Sequence, residues 1–366
     1  MLTRRGILTG GAAVLVLGGA GAVLSMRQST ERYAGFAAQL REPLQATGAS
    51  RDLIRYATLA ANGHNTQPWL FQEDSQAIAI RPDVSRRTPV VDPDDHHLYV
   101  SLGCAMENLE VAARTQGRPG DVKVEGVGGA VFVFSAPSGS ADPAVADLCK
   151  AIPLRQSTRS LYDGRPLSSD ILDTLAKGTR ADGVDVILLS ERSVLDRVRD
   201  LVIAGNDQQM ADARFIRELK QWLRFSPQAA MDRGDGLYAP ASGNPPLPDW
   251  LGPLAFDLAF KPATEADKYA RQMDSSAGVA VLSAKAEGPA GWIEVGRVCQ
   301  RFCLMATVLG LKTAFVNQPV EVAGLRSDMA ALAGLGSRRP DIVLRFGRGP
   351  TMPYSPRRPV ESVLRA

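Results

Sequence analysis

The chain has 366 residues, 45% of them hydrophobic, enough to bury a sizeable core in one large domain or in two or three smaller ones. Its 42 basic side chains stand against 39 acidic ones, for a net charge of +3. The basic residues are scattered along the sequence, and this balance excludes a basic groove for nucleic acid.

In chain order, Thr3-Arg4-Arg5-Gly6-Ile7-Leu8 has the form of a twin-arginine export signal, followed by an apolar stretch from Ile7 to Leu24 diluted by glycine and alanine. Residues 1–26 are therefore set aside as a signal or an uncleaved anchor, with the body outside the cytoplasmic membrane and the twin-arginine export machinery as a partner. Thr30 to Leu44 reads as a helical lead-in. Asp52 to Ala61 shows the broad apolar face of a helix that breaks at Asn62-Gly63. Ala77 to Arg81 reads as a strand and Pro89 to Pro93 as extended chain. Asp94 or Asp95 is the expected cap of a helix from about His97 to Arg114, ended by Gly117 and Gly120. Val122 to Val124 and Ala130 to Ser135 are strand candidates, and Ala136 to Pro143 a hinge.

The second half repeats this plan. Helices are expected at Ser168 to Lys177, Glu191 to Ile203 and Trp292 to Leu309, and strands at Asp185 to Leu189, Thr313 to Val316 and Asp341 to Phe346. The boundaries are 30–143 for the first half and 144–366 for the second. Residues 207 to 276 form a glycine- and proline-rich insertion with Trp222, Phe225, Tyr238, Trp250, Phe256 and Phe260, read as a lid.

Two polar motifs stand out. Asn65 and Gln67 lie in Gly63-His64-Asn65-Thr66-Gln67-Pro68-Trp69, and an amide both donates and accepts hydrogen bonds. Arg155-Gln156-Ser157-Thr158-Arg159 offers two guanidinium groups suited to bidentate phosphate binding. In an extended segment Arg155, Ser157 and Arg159 face one way and converge on one anion. The set suits a ligand with a flat hydrogen-bonding ring at one end and a phosphate at the other. His64 is a candidate acid or base. No metal is expected: Asp92, Asp94 and Asp95 read as turn and cap residues, and the adjacent His96 and His97 as side chains pointing apart. Cys104, Cys149, Cys299 and Cys303 form no Cys-x-x-Cys pair.

Asn65-x-Gln67-Pro68-Trp69 resembles the N-x-Q-P-W loop of the nitroreductase superfamily of FMN enzymes, and Arg155-x-Ser157-x-Arg159 resembles its phosphate motif. Further similarity lies in the Gly103-containing helix start, Gly310-Leu311-Lys312-Thr313, Asn317-Gln318-Pro319-Val320 and Arg357-Arg358-Pro359-Val360, spanning nearly all of Arg51 to Ala366. The motif order, with the arginine motif second, resembles the Acg-type subfamily, in which one chain mimics a homodimer and a lid covers the site. The resemblance implies an α+β fold of two fused halves, each a mixed sheet flanked by helices, acting as a monomeric pseudo-dimer with one FMN at the seam. It implies that Arg155, Gln156, Ser157 and Arg159 hold the phosphate and ribityl chain. Arg357 or Arg358 adds a cation, Asn65 meets the pyrimidine edge, and Phe315, Val316, Asn317 and Gln318 lie near the ring.

Two functions follow as expectations. One is an exported oxidoreductase that passes hydride through the flavin to a small electrophile, with a membrane quinol or a redox protein as donor. The other is an FMN store whose lid seals the ring and permits no turnover. A flavin-free structural relic is the weaker third reading.

Overall fold

The computed structural model describes residues 25–45, 49–136 and 143–365. The export-like segment up to residue 24 and most of the hinge, residues 137–142, lie outside the described residues. Helix α1 (25–39) is followed by α2 (Ser50–Thr58), the loop carrying Asn65 and Gln67, β1 (Trp69–Glu73) and β2 (Ala77–Pro82). Next come α3 (His96–Thr115), β3 (Gly120–Val124), β4 (Ala130–Phe134) and α4 (Pro143–Ala151). An extended stretch with the arginine motif leads to α5 (Ser169–Gly178), β5 (Val184–Leu189) and α6 (Arg192–Ala211). The insertion holds α7 (Ala213–Trp222), β6 (Leu223–Arg224), α8 (Pro227–Arg233), β7 (Leu237–Tyr238), α9 (Gly252–Ala259) and α10 (Pro262–Asp274). The chain closes with β8 (Gly278–Ala284), α11 (Pro289–Val308), β9 (Lys312–Phe315), α12 (Gln318–Glu321), α13 (Arg326–Leu332), β10 (Ile342–Gly347), α14 (Val360–Val363) and β11 (Leu364–Arg365).

The architecture is α+β. One sheet runs β11-β1-β2-β4-β3, antiparallel except where β11 joins β1 in parallel, with Phe71 opposite Leu364. The other runs β5-β8-β10-β9 and is antiparallel throughout, extended by a parallel bridge between Ser157 and Thr313. Helix α3 lies on the first sheet, α11 on the second, and the two helices pack on each other between them. One continuous apolar core therefore joins the two sheets, from Phe71 and Phe132 through Leu102 and Phe302 to Leu344.

Sheet position explains the strand patterns. In the first sheet β3 and β4 alternate buried with less buried positions, as strands with one covered face do. The second sheet is covered by α11 on one face and by a second core, with Val198, Met329 and Val343, on the other. Its central strands β8 and β10 are accordingly buried along nearly their whole length.

The tail assigned to the second half returns to the first: β11 adds to the first sheet, and Arg357 and Arg358 bond to the Asn65 and Gln67 loop. Gly103 does not start a helix but sits well inside α3, at its crossing with α11.

Candidate functional site

A cavity of about 560 Å³ opens between residues 61–104 and residues 206–342, within the size range of small-molecule and cofactor sites. Its floor is Asn62, Gly63, His64, Arg159, Phe315 and Asn317, and its apolar wall includes Phe215, Leu219, Phe225, Phe256 and Phe260 of the insertion.

The loop at the floor is strained. His64, Asn65 and Gln67 have φ of 48°, 54° and 53°, the left-handed region that residues other than glycine seldom enter. Hydrogen bonds hold it there. The Gln67 backbone N–H donates to Asn62 Oδ1 at 2.9 Å. The Asn65 amide nitrogen donates to the carbonyls of Gly236 (2.9 Å) and Pro356 (3.1 Å), and its Oδ1 accepts from Arg357 Nη1 at 2.8 Å. The Gln67 amide nitrogen donates to the Gly234 carbonyl at 2.8 Å, and its Oε1 accepts from the Arg358 backbone N–H at 2.9 Å. Asn65 and Gln67 are buried and do not line the cavity. The amides read from the sequence as a ring-binding pair fasten the loop to the insertion and the C-terminal tail instead. The face turned to the cavity is Asn62-Gly63-His64.

The arginine motif also divides. Only Arg159 lines the cavity. Arg155 points the other way, donating through Nη2 to the Leu59 carbonyl at 2.9 Å, while its buried Nε and Nη1 have no partner among the described residues. Gln156 clamps Met352, donating to its carbonyl at 2.8 Å and accepting from its N–H at 2.7 Å. Ser157 bridges Thr313 at the sheet edge. The expected convergence of Arg155, Ser157 and Arg159 on one anion is not what the backbone delivers. Edge pairing with β9 fixes the middle of the motif and sends its two ends to different places.

Arg155 has company that the sequence partly indicated. Its charge bears on Arg357 and Arg41, and none of the three makes an ion pair among the described residues. Arg357 donates to the carbonyls of Thr58, Leu59 and Ala60, which lie just ahead of the cavity residue Ala61. Burial, then Arg41 and Arg155, push Arg357 well below the ordinary guanidinium range. Arg358 is half-buried and turned toward Ser362 and Asp83, away from this group. Arg41, on the turn after α1, carried no motif and was not anticipated.

Of the four residues assigned near the ring, Phe315, Asn317 and Gln318 line the cavity, and Val316 is core beneath α6 and α13. The Asn317 Oδ1 accepts from the Val343 N–H at 2.9 Å, and its Nδ2 lies 3.2 Å from His97 Nε2. His97 and Asp92, which the sequence marks only as turn and helix-start residues, both stand on the cavity wall. Asp92, not Asp94 or Asp95, holds the N-terminus of α3: its carboxylate accepts from the backbone N–H groups of His97 (3.0 Å) and Leu98 (3.1 Å). Asp94 and Asp95 pair with Arg339 and Arg87. The rings of His96 and His97 do not point apart. They meet edge to face at 4.7 Å, and each faces its own carboxylate, Asp341 for His96 and Asp92 for His97. Asp92, His96 and His97 place ligand-type atoms within 4.8 Å of one another.

The two cavity histidines are driven in opposite directions. Burial, Arg159 and His97 lower His64 to about 4, so it is neutral at pH 7. Burial also works against charge on His97, but Asp92 outweighs it and raises this imidazole above its ordinary value. Burial lowers the Arg159 guanidinium, which has the phenols of Tyr269 and Tyr162 beside it. All four cysteines are buried and free, and Cys104 reaches the cavity wall.

No family model matches the chain. Over 327 residues, 86% of this chain and 90% of the relative, it is 26% identical to the Mycobacterium tuberculosis protein "Putative NAD(P)H nitroreductase Rv3131". Over 344 residues, 88% of this chain and 97% of the relative, it is 23% identical to a second nitroreductase-named protein of that organism, acg. Among solved structures, the "putative nitroreductase" of Anabaena variabilis covers 82% of this chain and 74% of its own at a TM-score of 0.42 and 12% identity. An FMN-bound nitroreductase of Desulfitobacterium hafniense covers 58% of this chain and 93% of its own at 0.36 and 15% identity.

Proposed function

We propose that this chain is an FMN-dependent oxidoreductase of the nitroreductase type, exported across the cytoplasmic membrane. Hydride would pass through the flavin to a small electrophilic acceptor, and a quinol or redox protein would supply the electrons. The single polypeptide would act as a pseudo-dimer, with residues 207–276 as the lid. The observation that carries this reading is the group Arg155, Arg357 and Arg41, the first two buried, with Nε and Nη1 of Arg155 unpartnered and no carboxylate paired to any of the three among the described residues. Uncompensated buried cations are costly and call for an anion. A phosphate suits guanidinium forks, and FMN adds to it a ring that suits the cavity, with Arg159 and Phe315 at the floor. The names of the two mycobacterial relatives support the reaction class.

Within this scheme FMN supplies the two-electron chemistry when bound. The chain's own residues bind and orient it. Arg155 and Arg357 would neutralise the phosphate, Arg159 would lie toward the ring, and His64 would stay neutral beside it. The insertion's apolar side chains would exclude water.

A second reading, FMN storage without turnover, is favoured by one observation: α7, α9 and α10 all contribute to the cavity wall, so the insertion covers the site. The test is direct. Gently purified protein should be yellow, and its flavin should be reduced by a quinol and reoxidised by a nitroaromatic or quinone under anaerobic conditions. Colourless protein that refuses added FMN defeats both readings. Flavin reduced only by dithionite defeats the first and leaves storage.

A further inference from the structure

Eight large hydrophobic side chains stand exposed among the described residues, and three of them, Trp250, Leu254 and Leu258, fall within nine positions at 74%, 58% and 78% exposure. Their spacing of four puts them on one face of α9 and the turn before it. The opposite face of the same helix, with Ala255, Phe256 and Ala259, lines the cavity. The one charged residue of α9, Asp257, is held by Lys220. Asp257 is exposed on the outer side beside Leu254 and Leu258, and apart from it the helix is apolar, with its inner side on the cavity and its outer side bare.

We propose that the outer face of α9 docks on a lipid bilayer. Three observations favour lipid over a protein partner. Trp250 stands at the end of the stripe, and tryptophan favours the membrane interface, where one part of the ring is apolar and the N–H is wet. Lys261 follows the helix directly and donates to the Asp257 carbonyl, leaving a cation at the rim for anionic headgroups. The apolar sequence Ile7 to Leu24 leads straight into α1, whose Tyr33 ring meets Tyr238 of the same insertion at 4.2 Å. In sequence, the segment with the composition to enter lipid is thus one helix away from a contact with the insertion that carries α9. Docked in this way, α9 separates the apolar part of the cavity from the bilayer by about 10 Å, one helix diameter. A lipid-soluble molecule then has the shortest path to the site. The proposal does not depend on FMN.

The test is hydrogen exchange on the full chain with and without vesicles of phosphatidylethanolamine and phosphatidylglycerol, with and without the substitutions Leu254→Ser and Leu258→Ser. Vesicles should slow exchange across residues 250–260 about ten-fold. The double variant should lose that slowing while keeping its melting temperature. Brominated lipid should quench Trp250 fluorescence, read as the difference from Trp250→Phe. Exchange in 250–260 that ignores vesicles overturns the proposal. So does slowing that follows protein concentration in their absence, because a second copy would then be the occupant.

Discussion

Gly103 and Gly296 touch backbone to backbone where α3 crosses α11. A Cβ at Gly103 would lie 1.9 Å from the Ile293 carbonyl oxygen and 2.9 Å from the Gly296 Cα, and one at Gly296 would lie 2.0 Å from the Val100 carbonyl oxygen. The atoms in the way are backbone and cannot swing aside. The contact joins the helix of the first sheet to the helix of the second, so it sets the spacing across which the cavity forms. Gly103→Ala and Gly296→Ala should each destabilise the protein by about 3 kcal/mol, at the upper end of ordinary overpacking. Urea unfolding should show it as a fall in midpoint. Alanine at either position with an unchanged midpoint would mean the helices can part without cost.

Asp92 joins a helix end to a cavity histidine, and the sign of its pH dependence can be worked out. Burial works to raise its carboxyl, but the His97 ring and the backbone N–H groups overcome that and lower it. Its contribution is therefore present above the unfolded carboxylate value and lost as pH falls. His97 is raised, so its share is present below the unfolded imidazole value and lost as pH rises through the folded one. The stability lost in Asp92→Ala should be largest between about pH 4 and pH 6.5 and smaller on either side. A helix cap of this kind is worth about 2 kcal/mol at most. Thermal unfolding across this range tests it, and a pH-independent loss would count against the ion pair. The His97 ring resonances should also titrate at lower pH in the variant.

His64 runs the other way. Its folded value of about 4 lies below the unfolded imidazole, so its neutral form stabilises the fold above that value, and stability falls as pH drops toward 4. At pH 5 the penalty is about 2 kcal/mol. Asparagine tolerates the left-handed backbone that His64 adopts and carries no titrating group. His64→Asn should match the parent near pH 8 and exceed it in stability at pH 5. Equal acid lability in both proteins would show that His64 titrates normally.

The regular elements with a clear pattern were legible in the sequence: a short apolar run in β4, an apolar face in α2, and a closing glycine after α11. Five strands were not, among them the two-residue β6 and β7 of the insertion. Trp69–Glu73 was hidden by the motif that runs into it, β8 by a solid apolar run at the end of the insertion, and β11 by having two residues. The motif residues were legible as unusual, but their partners were not. Asn65 meets Gly236 and Pro356, which are 171 and 291 positions away. Local composition marks an amide as destined for a hydrogen bond, and only the tertiary fold decides with what. Arg345 is the converse case. A lone arginine in the apolar strand β10, it donates to the carbonyls of Thr158, Ser160 and Gln272 and stacks on Tyr162 at 4.0 Å. Its signal was present in the sequence as a charge where the pattern called for an apolar side chain.

Arg155 separates stability from binding. Among the described residues its Nε and Nη1 are buried and unpartnered, and its charge adds to those of Arg41 and Arg357. Methionine fills similar space with no charge to leave unpaired. Arg155→Met loses one hydrogen bond, to the Leu59 carbonyl, and should still stabilise the apo protein by about 1 kcal/mol, because an uncompensated buried cation costs more than one neutral contact returns. The same change should abolish the rise in melting temperature on adding FMN, since a ligand stabilises only the state that binds it. Arg159→Ala, on the cavity floor, should weaken FMN binding without the gain in apo stability. The two readouts move in opposite directions in Arg155→Met only if the guanidinium is there for an anion. If apo stability falls and FMN still raises the melting temperature, Arg155 is a structural arginine and the phosphate lies elsewhere.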